Sequence, residues 1–120
     1  MRLLVIVYAS DMTKSVPFYE ALGLMRSSPG EIDAMWNQFE LGDGALALHG
    51  LGAGDLPVST GRVQVNLGVP ADGSLDAVFA RCKELDYEIG TGIDDQGFGR
   101  FFWVRDPDGL PVQINERAGG

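Results

Sequence analysis

The sequence is poor in the residues that build metal and disulfide sites. Its 120 residues include one cysteine, Cys82, and one histidine, His49. A single cysteine excludes an internal disulfide and a zinc site made of four thiolates, and it suits a reducing compartment. We therefore expect a cytoplasmic protein.

Positive charge and long apolar runs are also scarce. Nine basic residues face 17 acidic ones, for a net charge of -8, and this balance repels nucleic acid and anionic lipid surfaces. No apolar run approaches the roughly 20 residues of a membrane span, and the opening residues 3–8 predict a buried strand, not a signal peptide. We expect neither a nucleic acid nor a membrane partner. The acidic surface provides solubility or attracts a cationic ligand, and both interpretations stay open.

What the sequence does contain is a pattern of strands and helices that occurs twice. In the first half, apolar residues at helical spacing follow Asp11 or Thr13 as the cap, and Gly23 ends this helix. In the second half, Ser74 is the expected cap, and Cys82 lies in an apolar helical stripe as a small buried hydrophobe. The predicted strands are 3–8, 24–27, 34–40, 44–49, 62–69, 87–90, 100–105 and 110–115. The order βαβββ thus recurs after about 60 residues.

The chain length sets the domain organisation. A chain of 120 residues can bury roughly two thirds of its unfolded surface, so one domain with its own core is expected. We expect a single domain over residues 1–120, with one module at about 1–50, a linker at about 51–61 and a second module at about 62–116.

Alternation along the strands of the second half separates amides from apolar residues. In the strand over 62–69, Gln64 and Asn66 face away from the valines, and in the last strand Gln113 and Asn115 face away from Val112 and Ile114. The helices cover the apolar faces. The amides therefore belong to the opposite face, as does one pair of aromatic residues from the strand over 100–105.

Three segments carry a resemblance to a known family: YASDMTKSVPFYEALGL, VQVNLGV and FFWVRDPDGLPVQINE. They are similar to the vicinal oxygen chelate superfamily, which includes glyoxalase I, extradiol dioxygenases and bleomycin resistance proteins. The resemblance implies an α+β fold of two βαβββ modules whose curled mixed sheets surround a cleft. It also implies a homodimer, because family members often complete the cleft across a twofold interface.

The resemblance further implies where a metal would be held, and the residues at those positions are poor ligands. The first position falls on Leu4 or Val5, the second on Ala47 or His49, and the others on Gln64 and Gln113. Metal-binding members usually have His, Glu or Gln there, with a glutamate in the last strand. Amides and at most one imidazole hold a divalent ion weakly, so we expect neither a metal nor another cofactor.

Two functions remain open. The first is a metal-free protein that sequesters an antibiotic-like, partly aromatic small molecule, as resistance members of the family do. The second is a lyase, isomerase or dioxygenase-like enzyme with an unconventional metal site or none. We favour the first, and no residue is assigned a catalytic role. The predicted ligand-binding residues are Trp36, His49, Gln64, Asn66, Phe101, Trp103, Gln113 and Asn115.

Alternatives stay open for several of these residues. His49 is a strand-end residue bonded to the following loop, a ligand contact or an acid–base catalyst. Five aromatic residues belong either to the core or to a surface on which a flat ligand stacks. They are Trp36, Phe39, Phe98, Phe101 and Trp103.

Overall fold

The structure of the chain, a computed structural model, describes residues 2–52, 63–95, 97 and 99–117. These residues form β1 (Leu4–Ala9), α1 (Met12–Ala21), β2 (Met25–Arg26), β3 (Trp36–Leu41), β4 (Gly44–Gly50), β5 (Val65–Pro70), α2 (Ser74–Glu84), β6 (Asp94–Asp95), β7 (Arg100–Arg105) and β8 (Pro111–Arg117). The chain divides into two compact units, a first over residues 1–59 and a second over residues 60–120. No helix in the described ranges is long and apolar enough to cross a membrane.

The two units share one connectivity. The first sheet has the order β1-β4-β3-β2 and the second the order β5-β8-β7-β6. In each sheet the first strand is parallel to the last one, and the other neighbours are antiparallel. The predicted α+β fold of two βαβββ modules with mixed sheets is confirmed. Most of the predicted linker and Phe98 lie outside the described residues.

The core of the first unit lies between α1 and one face of its sheet. Tyr19 of α1 meets Phe39 of β3 with ring centroids 6.1 Å apart, and both side chains are fully buried. Leu4, Ile6 and Tyr8 of β1 are on the other face and are 42–44% exposed. The expectation that β1 is a buried strand is therefore wrong for half of its residues, because a single helix covers only one face.

The core of the second unit repeats this arrangement. Phe79 of α2 packs edge-to-face on Phe102 of β7, with centroids 5.2 Å apart. Cys82 is fully buried in the same stripe, and burial raises the pKa of its thiol to about 11. A thiol in this environment stays protonated at neutral pH, so Cys82 acts as a small core residue.

The strand predicted at 87–90 is corrected by the structure. Residues 88–90 make only an isolated bridge, Ile89 to Val104, on the edge of β7. The two-residue strand β6 pairs farther along the same edge, with Asp94 opposite Phe101. The backbone between them contains Gly92 at φ +95°, a conformation that strands do not use. The edge strand is therefore interrupted.

The first helix begins and ends as the sequence predicts. The Asp11 side chain caps it by accepting a hydrogen bond from the Thr13 backbone N–H at 3.0 Å. At the other end Gly23 has φ +105°, and the amides of Gly23 and Leu24 donate to the carbonyls of Glu20 and Tyr19. This is a Schellman motif. Pro17 lies inside the helix and not in its first turn, where a proline is best tolerated.

The second helix departs from the prediction at its start. Its N-cap residue is Gly73 and not Ser74. The capping oxygen comes from Asp72, whose carboxylate accepts from the Ser74 amide at 3.0 Å and from the Ser74 hydroxyl. These bonds lower the pKa of Asp72. Asp72 was missed because it lies two residues before the expected cap position, Ser74.

The turn before β8 is built around a buried aspartate. The Asp106 carboxylate accepts from the amides of Asp108 at 3.0 Å and Leu110 at 2.9 Å. The Gly109 amide donates to the Asp106 carbonyl at 2.8 Å, and Gly109 has φ +87°. The turn that the sequence predicts from Asp-Pro-Asp-Gly is thus held by one side chain, and it fixes where β8 begins.

The ends of the two helices differ in a way that can be tested. α2 ends in the same Schellman pattern as α1, but its left-handed residue is Asp86 at φ +60°. This conformation costs a non-glycine residue about 1–2 kcal/mol, which a glycine at this position would not incur. The greater flexibility of glycine in the unfolded chain offsets about 0.5–1 kcal/mol of the resulting stabilisation. We expect Asp86→Gly to raise the free energy of unfolding by about 0.5–1 kcal/mol in urea denaturation.

The matched control is the glycine at the end of α1. Gly23→Ala places a side chain in the left-handed conformation and is expected to lower the free energy of unfolding by about 1 kcal/mol. A lower denaturation midpoint for Asp86→Gly would contradict this account of the α2 terminus.

Candidate functional site

The open face of the second sheet, opposite α2, gathers most of the predicted ligand-binding residues. Asn66 is the register partner of Gln113. Trp103 lies opposite Gln113 on the other side, and Phe101 lies opposite Asn115. Because register partners share a face, three neighbouring strands present amides and aromatic rings together. Gln64 joins them from just before β5 through its bond to Asn66.

The amides on this face are oriented by bonds to one another. Asn115 Nδ2 donates to Gln113 Oε1 at 3.1 Å, and Gln64 Nε2 donates to Asn66 Oδ1 at 3.1 Å. Each pair uses one N–H and one carbonyl lone pair, so both donors and acceptors stay available for other partners. Asn115 is buried, whereas Gln113 is half-buried and Gln64 and Asn66 are exposed.

Trp103 also forms one wall of a groove beside β7. The groove has a volume of about 280 Å³, and its lining residues are Glu88, Ile89, Gly90, Trp103, Arg105 and Pro111. A Cβ at Gly90 would lie 3.6 Å from the Trp103 Cβ, so the absence of a side chain there keeps the groove open next to Trp103. Arg105 and Glu88 form an ion pair of 3.8 Å at its edge.

The main ion-pair cluster of the second unit lies on the helix side and not on the open face. Arg100 contacts Asp76 of α2 at 2.6 Å and Glu116 of β8 at 2.7 Å. The guanidinium lowers the pKa of Asp76, and the two carboxylates raise the pKa of Arg100. The guanidinium offsets one of the two carboxylate charges, and this cluster lies away from the amides and rings of the open face.

The first sheet carries an aromatic row on its open face, made of Tyr8, His49 and Trp36. His49 is the register partner of Tyr8 in β1 and of Trp36 in β3. Its ring centroid lies 5.3 Å from that of Tyr8 and 5.9 Å from that of Trp36. His49 Nδ1 is 2.6 Å from the Gly50 carbonyl oxygen. The partner of Nδ1 is thus the last residue of the same strand, whereas the strand-end interpretation placed this bond in the loop that follows.

The predicted site residues thus form two groups, one in each unit. Gln64, Asn66, Phe101, Trp103, Gln113 and Asn115 share the open face of the second sheet, and Trp36 and His49 share the aromatic row of the first. Phe39, by contrast, is a fully buried core residue. Sequence reasoning missed Tyr8, because only the register of β1 against β4 shows that it lies beside His49.

The residues at the family's metal positions do not fit a metal. Leu4 and Ala47 offer no donor atom, and the Gln113 oxygen already accepts from Asn115. Within the described ranges, no three His, Cys, Asp or Glu side chains lie close enough together to hold an ion. Divalent ions in proteins need several anionic or imidazole ligands in fixed geometry, and this donor set does not supply them.

The fold agrees with the comparison to known families. The sequence profile of the Glyoxalase/Bleomycin resistance protein/Dioxygenase superfamily matches residues 3–114. The chain belongs to this superfamily. No curated protein matches the sequence.

Solved structures of the same fold include proteins with different activities. A glyoxylase/bleomycin resistance protein/dioxygenase domain from Frankia sp. EAN1pec has a TM-score of 0.76 at 18% identity, covering 98% of this chain and 90% of that one. The lactoylglutathione lyase of Agrobacterium tumefaciens has a TM-score of 0.66 at 18% identity, with 95% and 91% covered. The oxidase ChaP-H2 has a TM-score of 0.70 at 19% identity, with 100% and 98% covered. At these identities the likeness shows the fold alone.

The donor set leads to a test of metal binding. We expect purified, dialysed protein to carry far less than one divalent ion per chain by elemental analysis. Gln113→Glu puts a carboxylate at the position where metal-binding members have one, and it retains the acceptor for Asn115 Nδ2. The variant is expected to bind Mn²⁺ more tightly than the wild-type protein in calorimetric titration. One tightly held ion per wild-type chain would contradict this interpretation.

Proposed function

We propose that the protein is a metal-free binding protein that sequesters a planar small molecule rich in heteroatoms, as the antibiotic resistance members of its superfamily do. The observation that supports this proposal is the open face of the second sheet. There, Trp103 and Phe101 lie beside Gln113 and Asn115, and the two metal positions in this half of the chain are the amides Gln64 and Gln113. Such a face binds by stacking and hydrogen bonds.

Neutral amides suit a ligand with both donors and acceptors. Burying a carboxylate against a neutral ligand costs desolvation energy that is not recovered, whereas an amide can donate and accept without carrying charge. The Asn115–Gln113 bond fixes which amide atoms point toward a ligand. A preoriented amide loses little conformational entropy on binding, which favours affinity.

The groove at Trp103 is the proposed place for an aromatic ring of the ligand. Its apolar lining comes from Trp103, Ile89 and Pro111, and the Arg105–Glu88 pair lies at its edge. A volume of about 280 Å³ is close to the lower end of small-molecule pockets, roughly 300 Å³. It fits one ring system and not a whole large ligand, so the rest of the ligand would extend over the amides.

A reducing compartment is part of the same proposal. Cys82 is the one cysteine and is fully buried, so no thiol in the chain forms an internal disulfide or faces solvent. We propose the cytoplasm as the place where the protein binds its ligand.

Trp103 provides the direct test of the binding site. In a Trp36→Phe background, Trp103 is the only tryptophan, so its fluorescence reports ligand binding when aromatic, antibiotic-like compounds are screened. For a compound detected in this way, Trp103→Ala is expected to weaken affinity by about 1–3 kcal/mol, since the stacked ring is lost. Trp103→Phe, which retains a ring, should lose less. Calorimetry measures both.

The outcomes of this test separate binding from other roles. Unchanged affinity with lowered thermal stability in Trp103→Ala would show that Trp103 is a core residue, and the stacking proposal would be wrong. Conversion of a bound compound into a product by the wild-type protein would favour the alternative, an enzyme of the lyase, isomerase or dioxygenase type.

We also propose a homodimer, because members of the superfamily often complete their cleft across a twofold interface. Light scattering across a concentration series is expected to give twice the chain mass of 12.9 kDa. A mass that stays at one chain at every concentration would contradict the proposal.

A further inference from the structure

His49 has two ring nitrogens, and the structure defines the role of each. The Gly50 carbonyl 2.6 Å from Nδ1 can only accept a hydrogen bond, so the proton of the neutral ring is on Nδ1. The lone pair is then on Nε2, which becomes a hydrogen-bond acceptor. Within the described part of the chain, Nε2 has no hydrogen-bond partner.

The carbonyl that fixes this tautomer is itself held in place. The Gly50 amide donates to the Met35 carbonyl at 2.8 Å. A Cβ on Gly50 would lie 2.4 Å from the Ala34 carbonyl oxygen and 3.1 Å from the Met35 Cα. The Gly50 backbone therefore packs directly on residues 34–35, and its carbonyl has little freedom to turn away from His49.

The neighbours of His49 define what can approach Nε2. Tyr8 and Trp36 flank the imidazole on adjacent strands, and they remain 42% and 38% exposed. Ile6, the next residue of β1 on the same face, is 44% exposed. The imidazole that carries the acceptor nitrogen is thus flanked by two aromatic side chains that are partly open to solvent.

We propose that the aromatic row is a phenol-binding subsite, in which His49 Nε2 accepts a hydrogen bond from the hydroxyl of a phenolic ring packed against Tyr8 and Trp36. A phenol combines the two required features, a flat apolar body and one strong O–H donor. An aliphatic alcohol would lack the ring, and an aryl ether would lack the donor. The inference goes beyond the proposed function, because it concerns a different sheet and rests on the geometry of that sheet alone.

The first experiment tests the tautomer without any ligand. The full chain contains one histidine, so long-range ¹⁵N–¹H correlation spectra of uniformly ¹⁵N-labelled protein, recorded where the imidazole is neutral, give one imidazole pattern. The expected pattern has protonated Nδ1 and unprotonated Nε2. The opposite tautomer, or averaging between the two, would show that the Gly50 carbonyl does not fix the ring, and the proposal would be wrong.

The second experiment tests the donor requirement with matched probes. Phenol and anisole have the same ring, but anisole cannot donate a hydrogen bond. Titration followed by the His49 and Trp36 ring signals is expected to show phenol binding about three- to ten-fold more tightly, as one neutral hydrogen bond implies. His49→Phe should remove this preference, whereas Leu85→Ala, an exposed position in the second unit, should retain it.

Each outcome decides for or against the subsite. Equal affinity for phenol and anisole, or a preference that persists in His49→Phe, would overturn it. So would a preference lost in Tyr8→Phe and retained in His49→Phe, because the acceptor would then be the Tyr8 hydroxyl. If His49→Phe does not fold, the tautomer and the ratio of the wild-type affinities for phenol and anisole still test the proposal.

Trp103 signals report binding to the sheet of the second unit. This test and the test of the proposed function can therefore fail separately.

Discussion

The arrangement of each unit depends on one constraint: a single helix covers one face of a four-stranded sheet. Because residues alternate along the strands, one set of apolar side chains faces the helix of each unit. Tyr19 contacts Phe39 in the first unit, and Phe79 contacts Phe102 in the second. Burial of these and the other apolar side chains of the core stabilises each unit. The opposite face contributes less to the core, so its residues can be chosen for other purposes.

The two open faces use this freedom differently. In the first unit, hydrocarbon and aromatic side chains surround one imidazole. In the second unit, amides on β5 and β8 lie beside two rings on β7. The guanidinium of Arg100 and the two carboxylates that it contacts lie on the helix side. The second face has Gln113 at the position where metal-binding members of the superfamily have a glutamate. Recognition by stacking and hydrogen bonding is consistent with both.

The sequence predicted what alternation and local turn chemistry determine. The shared face of Gln113 and Asn115, the Asp11 cap and the Gly23 terminus follow from short-range patterns, so they could be found without coordinates. The position of Tyr8 beside His49 could not, because it depends on the pairing of strands about 40 residues apart, which no local pattern encodes. The sixth strand has a local cause: residues near Ile89 have strand-like composition, but Gly92 at φ +95° interrupts the pairing before it resumes at Asp94.

One glycine has a consequence for how mutational scans of this protein would be interpreted. Gly50 has no functional group, yet any side chain there would collide with the Ala34 backbone and displace the carbonyl that sets the His49 proton. In a mutational scan of ligand binding, substitutions at Gly50 would therefore reduce affinity as strongly as substitutions at His49 itself. Intolerance of substitution at Gly50 would then reflect the tautomer of the neighbouring imidazole, which is a chemical requirement of another residue.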